Sequence, residues 1–316
     1  WNNGGTIDAS PHAQVNNDSW VIAVWERASE EFSPFKINVT TDRAQYVSAD
    51  SSKRVMCVVT PTKTAAPSAG GVAYRNTFGE SVPCWAFNAS EYDCAETISH
   101  EVGHTLGLVH DGKEGGDDEY FGGHGSGETG WGPIMGATFQ GSEESNVTQW
   151  SIGEYTGAVN YFTDEATPNT QDDLDVIAAN GFGYRVDDAG DSIAMANGLN
   201  SDGAFIDQAG IISTSVDVDY YTFYTLDGDV LIVVDGLDVE SEETPNTDTL
   251  GGNLAVEITL YDEFGTVIDT QNPTDELGAT IAETLVEGTY YVSVAGASRG
   301  APATDGFSTY ASLGQY

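Results

Sequence analysis

The sequence predicts two folded parts: an α+β domain over residues 1–184 and an all-β sandwich over residues 185–316. Three observations predict this. Apolar residues recur first at helical and then at strand spacing through the first hundred residues, a histidine-bearing segment of helical spacing follows, and past residue 184 only strand-like runs and turn clusters remain. At 316 residues the chain is long enough for two cores.

Taken in order, Val21, Val24, Trp25, Ala28 and Phe32 predict an amphipathic helix from Ser19 to Phe32. Phe35, Ile37 and Val39 alternate with polar neighbours, predicting a half-buried strand; Val55 to Val59 predicts another, and GGVAYR a short one behind two glycines. Residues 112–183 are rich in Gly and Asp, which allows little regular structure until TPNTQDDLDVIAANG, read as a short helix with a threonine N-cap. From Arg185 onward Leu254, Val256, Ile258 and Leu260 alternate with Ala255, Glu257, Thr259 and Tyr261, and Tyr290, Val292 and Val294 repeat the pattern.

Charge excludes whole classes of partner. Fifty acidic against ten basic residues give a formal net charge of −40, so nucleic acid and anionic membrane surfaces would repel the chain. Carboxylates scattered rather than gathered in a tail predict a solvated acidic surface suited to a saline or marine habitat, and some of them are expected to hold Ca²⁺. No apolar run approaches the roughly 20 residues of a membrane span.

The histidines are concentrated. Three of five lie in HEVGHTLGLVH, residues 100–110. On a helix His100 and His104 share one face and can chelate one Zn²⁺, with Glu101 beside it; Gly107 permits the left-handed turn that ends the helix, so that His110 can return as a third nitrogen. One position is left for water. At average residue frequencies the five fixed letters of HExxHxxGxxH arise by chance in roughly one chain per hundred thousand. His124 is a conceivable further ligand, but filling the open position would stop catalysis, so a structural or substrate-contacting role is expected.

At these residues the chain resembles the metzincin metalloproteases, whose elongated zinc motif precedes a methionine turn; GWGPIMGATF supplies Met135. Asp111 directly after His110 resembles the reprolysin (adamalysin) form, in which an acidic residue ties the third-ligand loop to the fold. Astacins and serralysins carry a tyrosine two residues after the methionine, where this chain has Ala137. The stretches VWERASEEFSPFKINVTT, GGVAYRNTFG and TQWSIGEYTGA look like secreted bacterial reprolysin-like proteases. DVDYYTFYT, ITLYDEFGTVI and EGTYYVSVAG resemble the bacterial pre-peptidase C-terminal domain, which trails such proteases and in some cases binds insoluble polymers.

The resemblance implies a secreted, monomeric zinc endopeptidase acting on protein or peptide substrates, with insoluble extracellular protein among them. Glu101 would be its general base and Met135 a floor under the metal. Gly71, Val72 and Ala73 would form the sheet edge on which an extended substrate pairs, and the β region would aid substrate binding or secretion. The rival reading is a non-catalytic, zinc-stabilised adhesin or polymer-binding protein. Trp1 reads as the start of a mature form, and YASLGQY as a strand that continues in longer relatives. Of the cysteines, Cys84 and Cys94 flank the approach to the histidine helix and are expected to bridge in an oxidising compartment, while Cys57 in VMCVVT is expected to be a buried free thiol.

Overall fold

The computed structural model describes residues 5–7, 9–115, 119–138, 147–162, 165–199, 205–237 and 251–316. Among them lie four α-helices and many short strands in several sheets, a mixed α/β fold. None of these helices is long and apolar enough to cross a membrane.

Helix α1 (Asp18–Glu31) is capped by Asn17, whose side chain accepts from Trp20 N. Its buried stripe is turned slightly from the expected one: Trp20, Val24 and Ala28 face inward with Phe32, while Trp25 is 39% exposed. The strand expected at Phe35–Val39 does not form. Phe35 makes a single bridge to Tyr184, and side chains take two of the carbonyls, with Trp25 Nε1 donating to Val39 O and Arg185 Nη2 to Ile37 O. Alternating burial was legible there, but no neighbouring strand is in place to complete a ladder.

After α2 (Arg43–Ser48) come β1 (Cys57–Val59), β2 (Gly71–Val72) and β3 (Cys84–Ala86), in sheet order β1-β3-β2. β1 runs parallel and β2 antiparallel to β3, which leaves β2 at an edge. Helix α3 (Glu91–Leu106) starts at Ser90, whose hydroxyl accepts from Asp93 N, and packs against α1 and all three strands. The bridge expected between Cys84 and Cys94 is absent, and all three thiols are free. Cys84 pairs in register with Cys57 and joins the main core, whereas Cys94 packs with Trp20 and Val24 in a separate cluster.

The Gly-rich part holds short elements: β4 (His110–Lys113), β5 (Trp131–Pro133), β6 (Val147–Gln149), β7 (Ala158–Phe162), β8 (Glu165–Pro168) and α4 (Asp173–Gly181). The strand order β4-β7-β8 forms one antiparallel sheet, and β5 pairs in parallel with β6. Asp172 caps α4 by accepting from Asp175 N, in place of the expected threonine.

In the C-terminal part β9 (Asn197–Gly198), β10 (Ile211–Ile212), β11 (Val218–Thr225), β12 (Gly228–Val234), β13 (Val256–Tyr261), β14 (Val267–Gln271), β15 (Ala279–Leu285), β16 (Gly288–Gly296) and β17 (Gly314–Gln315) follow without an α-helix among the described residues. A five-stranded sheet, β14-β13-β16-β11-β9, shares its core with the pair β12-β15. Phe223, Ile258, Leu260 and Val294 of the larger sheet meet Ile281 and Leu285 of the smaller in one cluster.

That cluster does not stop at residue 184: it also contains Phe32, Phe35, Met135 and Trp150. Polar contacts reinforce the junction. Glu30 accepts from Gln315 N at 3.1 Å and from Gln315 Nε2 at 2.9 Å, Asn253 Nδ2 donates to Glu31 Oε2 at 2.9 Å, and Gln149 Nε2 donates to Asn253 O at 2.6 Å. Both glutamates are almost fully buried, so their partners across the junction offset a large desolvation cost.

Candidate metal centre

Helix α3 stacks His100 above His104, as a four-residue spacing requires, and ends at Gly107 with φ +117°. A Cβ on Gly107 would sit 2.7 Å from Asn76 Oδ1, which could swing aside, so it is the positive φ that favours glycine here. The chain then turns into β4, whose first residue is His110, paired with Tyr161 of β7. One ring nitrogen from each of His100, His104 and His110 lies within 4.8 Å of the others.

Hydrogen bonds fix how these rings face. His100 Nδ1 donates to Ile134 O at 2.8 Å and His104 Nδ1 donates to Leu108 O at 3.0 Å. His110 Nδ1 lies 2.6 Å from Glu119 Oε1, off the angle of a hydrogen bond. With the Nδ1 protons of His100 and His104 directed at carbonyl oxygens, the Nε2 atoms of these two rings carry lone pairs. His104 Nε2 and His110 Nε2 are only 3.0 Å apart. Three ring nitrogens gathered this closely, two of them on rings whose Nδ1 protons are held by carbonyls, form a donor set that fits a metal ion. Burial, the largest cause in each case, pushes His100 down to about 3, His104 to about 4 and His110 to about 2, keeping all three neutral and able to ligate.

Glu101 is 6% exposed, and its Oε2 has no hydrogen-bond partner. Burial raises its carboxyl to about 8. Beside it is Gly71 of β2, where an added Cβ would stand 2.6 Å from Glu101 Oε1. Val72 shares that edge, and Ala73 lies just past the last paired residue. The structure thus brings the open strand edge and the carboxylate together.

Met135 is fully buried, and its Sδ is 2.8 Å from where a Cβ on Gly103 would lie, so the glycine before His104 lets the sulfur approach α3. The turn holding it, closed by Gly136 N donating to Pro133 O, also presents Ile134 O to His100. Asp111 N donates to Met135 O at 2.9 Å, and Asp111 Oδ1 accepts from Asn169 Nδ2 at 2.8 Å. Asp111 therefore ties the third histidine to the methionine turn and to the segment before α4. Its buried carboxyl is raised to about 7, desolvation being the main cause.

His124 stands apart from this set, with Nε2 2.7 Å from Gly306 O in the C-terminal part. Two residues at the centre went unread in the sequence: Glu119, and Tyr120, whose ring centroid is 4.3 Å from that of His110. Both sit in a Gly/Asp-rich run without periodicity, which carries no signal of spatial proximity. A second set, Asp187, Asp191 and Asp217, offers three carboxylate oxygens within 4.8 Å. There Asp217 is 6% exposed, accepts from Ser213 through Oδ2 and leaves Oδ1 without a partner. Comparison with protein-family models and with curated proteins finds no match.

Proposed function

We propose that the chain is a zinc-dependent endopeptidase of metzincin type, reprolysin-like, with a C-terminal part resembling the pre-peptidase C-terminal domain. The convergence of three histidine ring nitrogens beside a partly unsatisfied buried glutamate carries this reading. His100, His104 and His110 would hold Zn²⁺, which when bound supplies a water of lowered pKa and a Lewis acid for the scissile carbonyl.

The remaining chemistry falls to the protein's own groups. A dication beside Glu101 would draw its carboxyl down from about 8 to the ionised form that a general base needs. Glu101 would then take up a proton at Oε2 and return it to the leaving amine. The free edge of β2 supports strand addition by an extended polypeptide, with backbone hydrogen bonds gripping many sequences alike. Met135, buried against Gly103 of the histidine helix, would form a floor under the metal without reaching substrate. The acidic surface speaks for protein or peptide substrates over nucleic acid, and secretion into a saline medium fits it. Among the described residues, Asp187, Asp191 and Asp217 are the carboxylates best placed for a structural Ca²⁺, with Asp217 Oδ1 an orphaned buried acceptor.

Metal analysis combined with peptide digestion tests the reading. One zinc per chain, turnover abolished by a chelator and restored by Zn²⁺, and a Glu101→Ala variant that keeps zinc but loses several powers of ten in rate are expected. Zinc retention with no cleavage of any peptide library by the intact chain would leave the adhesin reading in its place.

A further inference from the structure

We propose that Cys57 and Cys84 are a redox pair that closes, reversibly, to a disulfide across β1 and β3. The two residues are register partners in adjacent parallel strands, so their side chains leave the same face of the sheet. Strand spacing puts their Cα atoms about 4.8 Å apart, within the window of about 4.4–6.8 Å that disulfides occupy. The hydrogen bond with Cys84 first, and burial second, hold the Cys57 thiol well above the usual thiol range, so its exchange is slow near neutral pH and quickens as pH rises. Cys94 packs in another cluster, around Trp20 and Val24, and is left over as the unpaired thiol.

Access is asymmetric, since Cys57 is half-buried and Cys84 fully buried. A small disulfide such as oxidised glutathione therefore meets Cys57 first. The Cys57 thiolate attacks it, forming a mixed disulfide and releasing one glutathione thiol. Cys84 then gives up its proton and attacks Cys57 Sγ, expelling the second glutathione. Overall, two protein thiols and one oxidised glutathione become one protein disulfide and two reduced glutathiones. To close, the Cβ atoms must draw in from about the strand spacing to about 3.8 Å, and that strain keeps the link reducible by ordinary thiols. The closed ring would span residues 57–84 and hence enclose β2, tying down the strand edge next to Glu101.

The test uses the full chain, reduced and then equilibrated with oxidised glutathione, denatured in acid with a thiol-blocking maleimide, digested and mapped by mass spectrometry. Blocked thiols should fall from three to one, with a linked peptide pair carrying Cys57 and Cys84, and a reductant should reverse both. The melting temperature of the oxidised form should rise by several degrees, because a cross-link restricts the unfolded chain. Cys57→Ser should keep two blockable thiols and show no such rise. Three thiols persisting after oxidation, a link between Cys84 and Cys94, or glutathione remaining on Cys57 would each overturn the proposal. Mapping the wild-type link decides the matter even if the serine variant folds poorly.

Discussion

Replacing Gly71 by alanine tests whether the strand edge and the carboxylate form one unit. The added Cβ would stand 2.5 Å from Thr97 Cγ2, 2.6 Å from Glu101 Oε1 and 2.7 Å from Trp85 O. Trp85 O cannot yield without disturbing the β2–β3 ladder, and Thr97 is anchored on α3, so the flexible end of Glu101 must move or β2 must lift from β3. Overpacking of this kind costs about 1–3 kcal/mol, and about 1 Å of displacement in a catalytic group costs on the order of a hundredfold in rate. Urea denaturation should therefore lose about 2 kcal/mol, and peptide turnover about two powers of ten, with zinc content unchanged. Adding Thr97→Ser, which removes one of the three clashes, should recover part of the stability but little of the rate. A Gly71→Ala chain with wild-type midpoint and wild-type turnover would refute the reasoning.

Four further outcomes are expected. His124→Ala should keep its zinc, as metal analysis would show, but lower the urea midpoint through loss of the bond to Gly306 O, worth about 1 kcal/mol. A chain ending at residue 184 should not melt cooperatively by circular dichroism, because Glu30 and Glu31 lose Gln315 and Asn253 while Phe32 and Phe35 lose part of their shared core; a sharp transition would show that the first part folds alone. Melting temperature should rise with NaCl at fixed Ca²⁺, since screening relieves repulsion at a net charge of −40. Burial raises Glu30 to about 7, so its contribution is fully present below about pH 4.5 and is lost as pH rises through about 7. In 1 M salt, the stability of the wild-type chain relative to Glu30→Gln, which shares every other titrating group, should fall from pH 5 to pH 8, and a flat difference would count against a buried, partnered Glu30.

The sequence by itself determined the histidine helix. Spacing of four along a 3.6-residue turn places His100 and His104 on one face in any surroundings, and Gly107 ends the helix because few other residues accept its φ. These are properties of the local backbone, so they could be read before any fold was known. The alternating strands of the C-terminal part were legible for the same reason. Tertiary structure decided whatever depends on which segments become neighbours. Phe35–Val39 has the alternation of a strand but only Tyr184 to bridge to, and side chains satisfy two of its carbonyls instead. Cys84 lies ten residues from Cys94 in sequence, yet the parallel pairing of β1 with β3 sets it beside Cys57. Glu119 and Tyr120 reach His110 from a run with no periodic signal, and Glu30 and Glu31 turn inward because Gln315 and Asn253, more than two hundred residues away, supply donors there. A helix face is set within one turn of chain, whereas a strand partner or the donor to a buried carboxylate comes into being only when distant segments have packed.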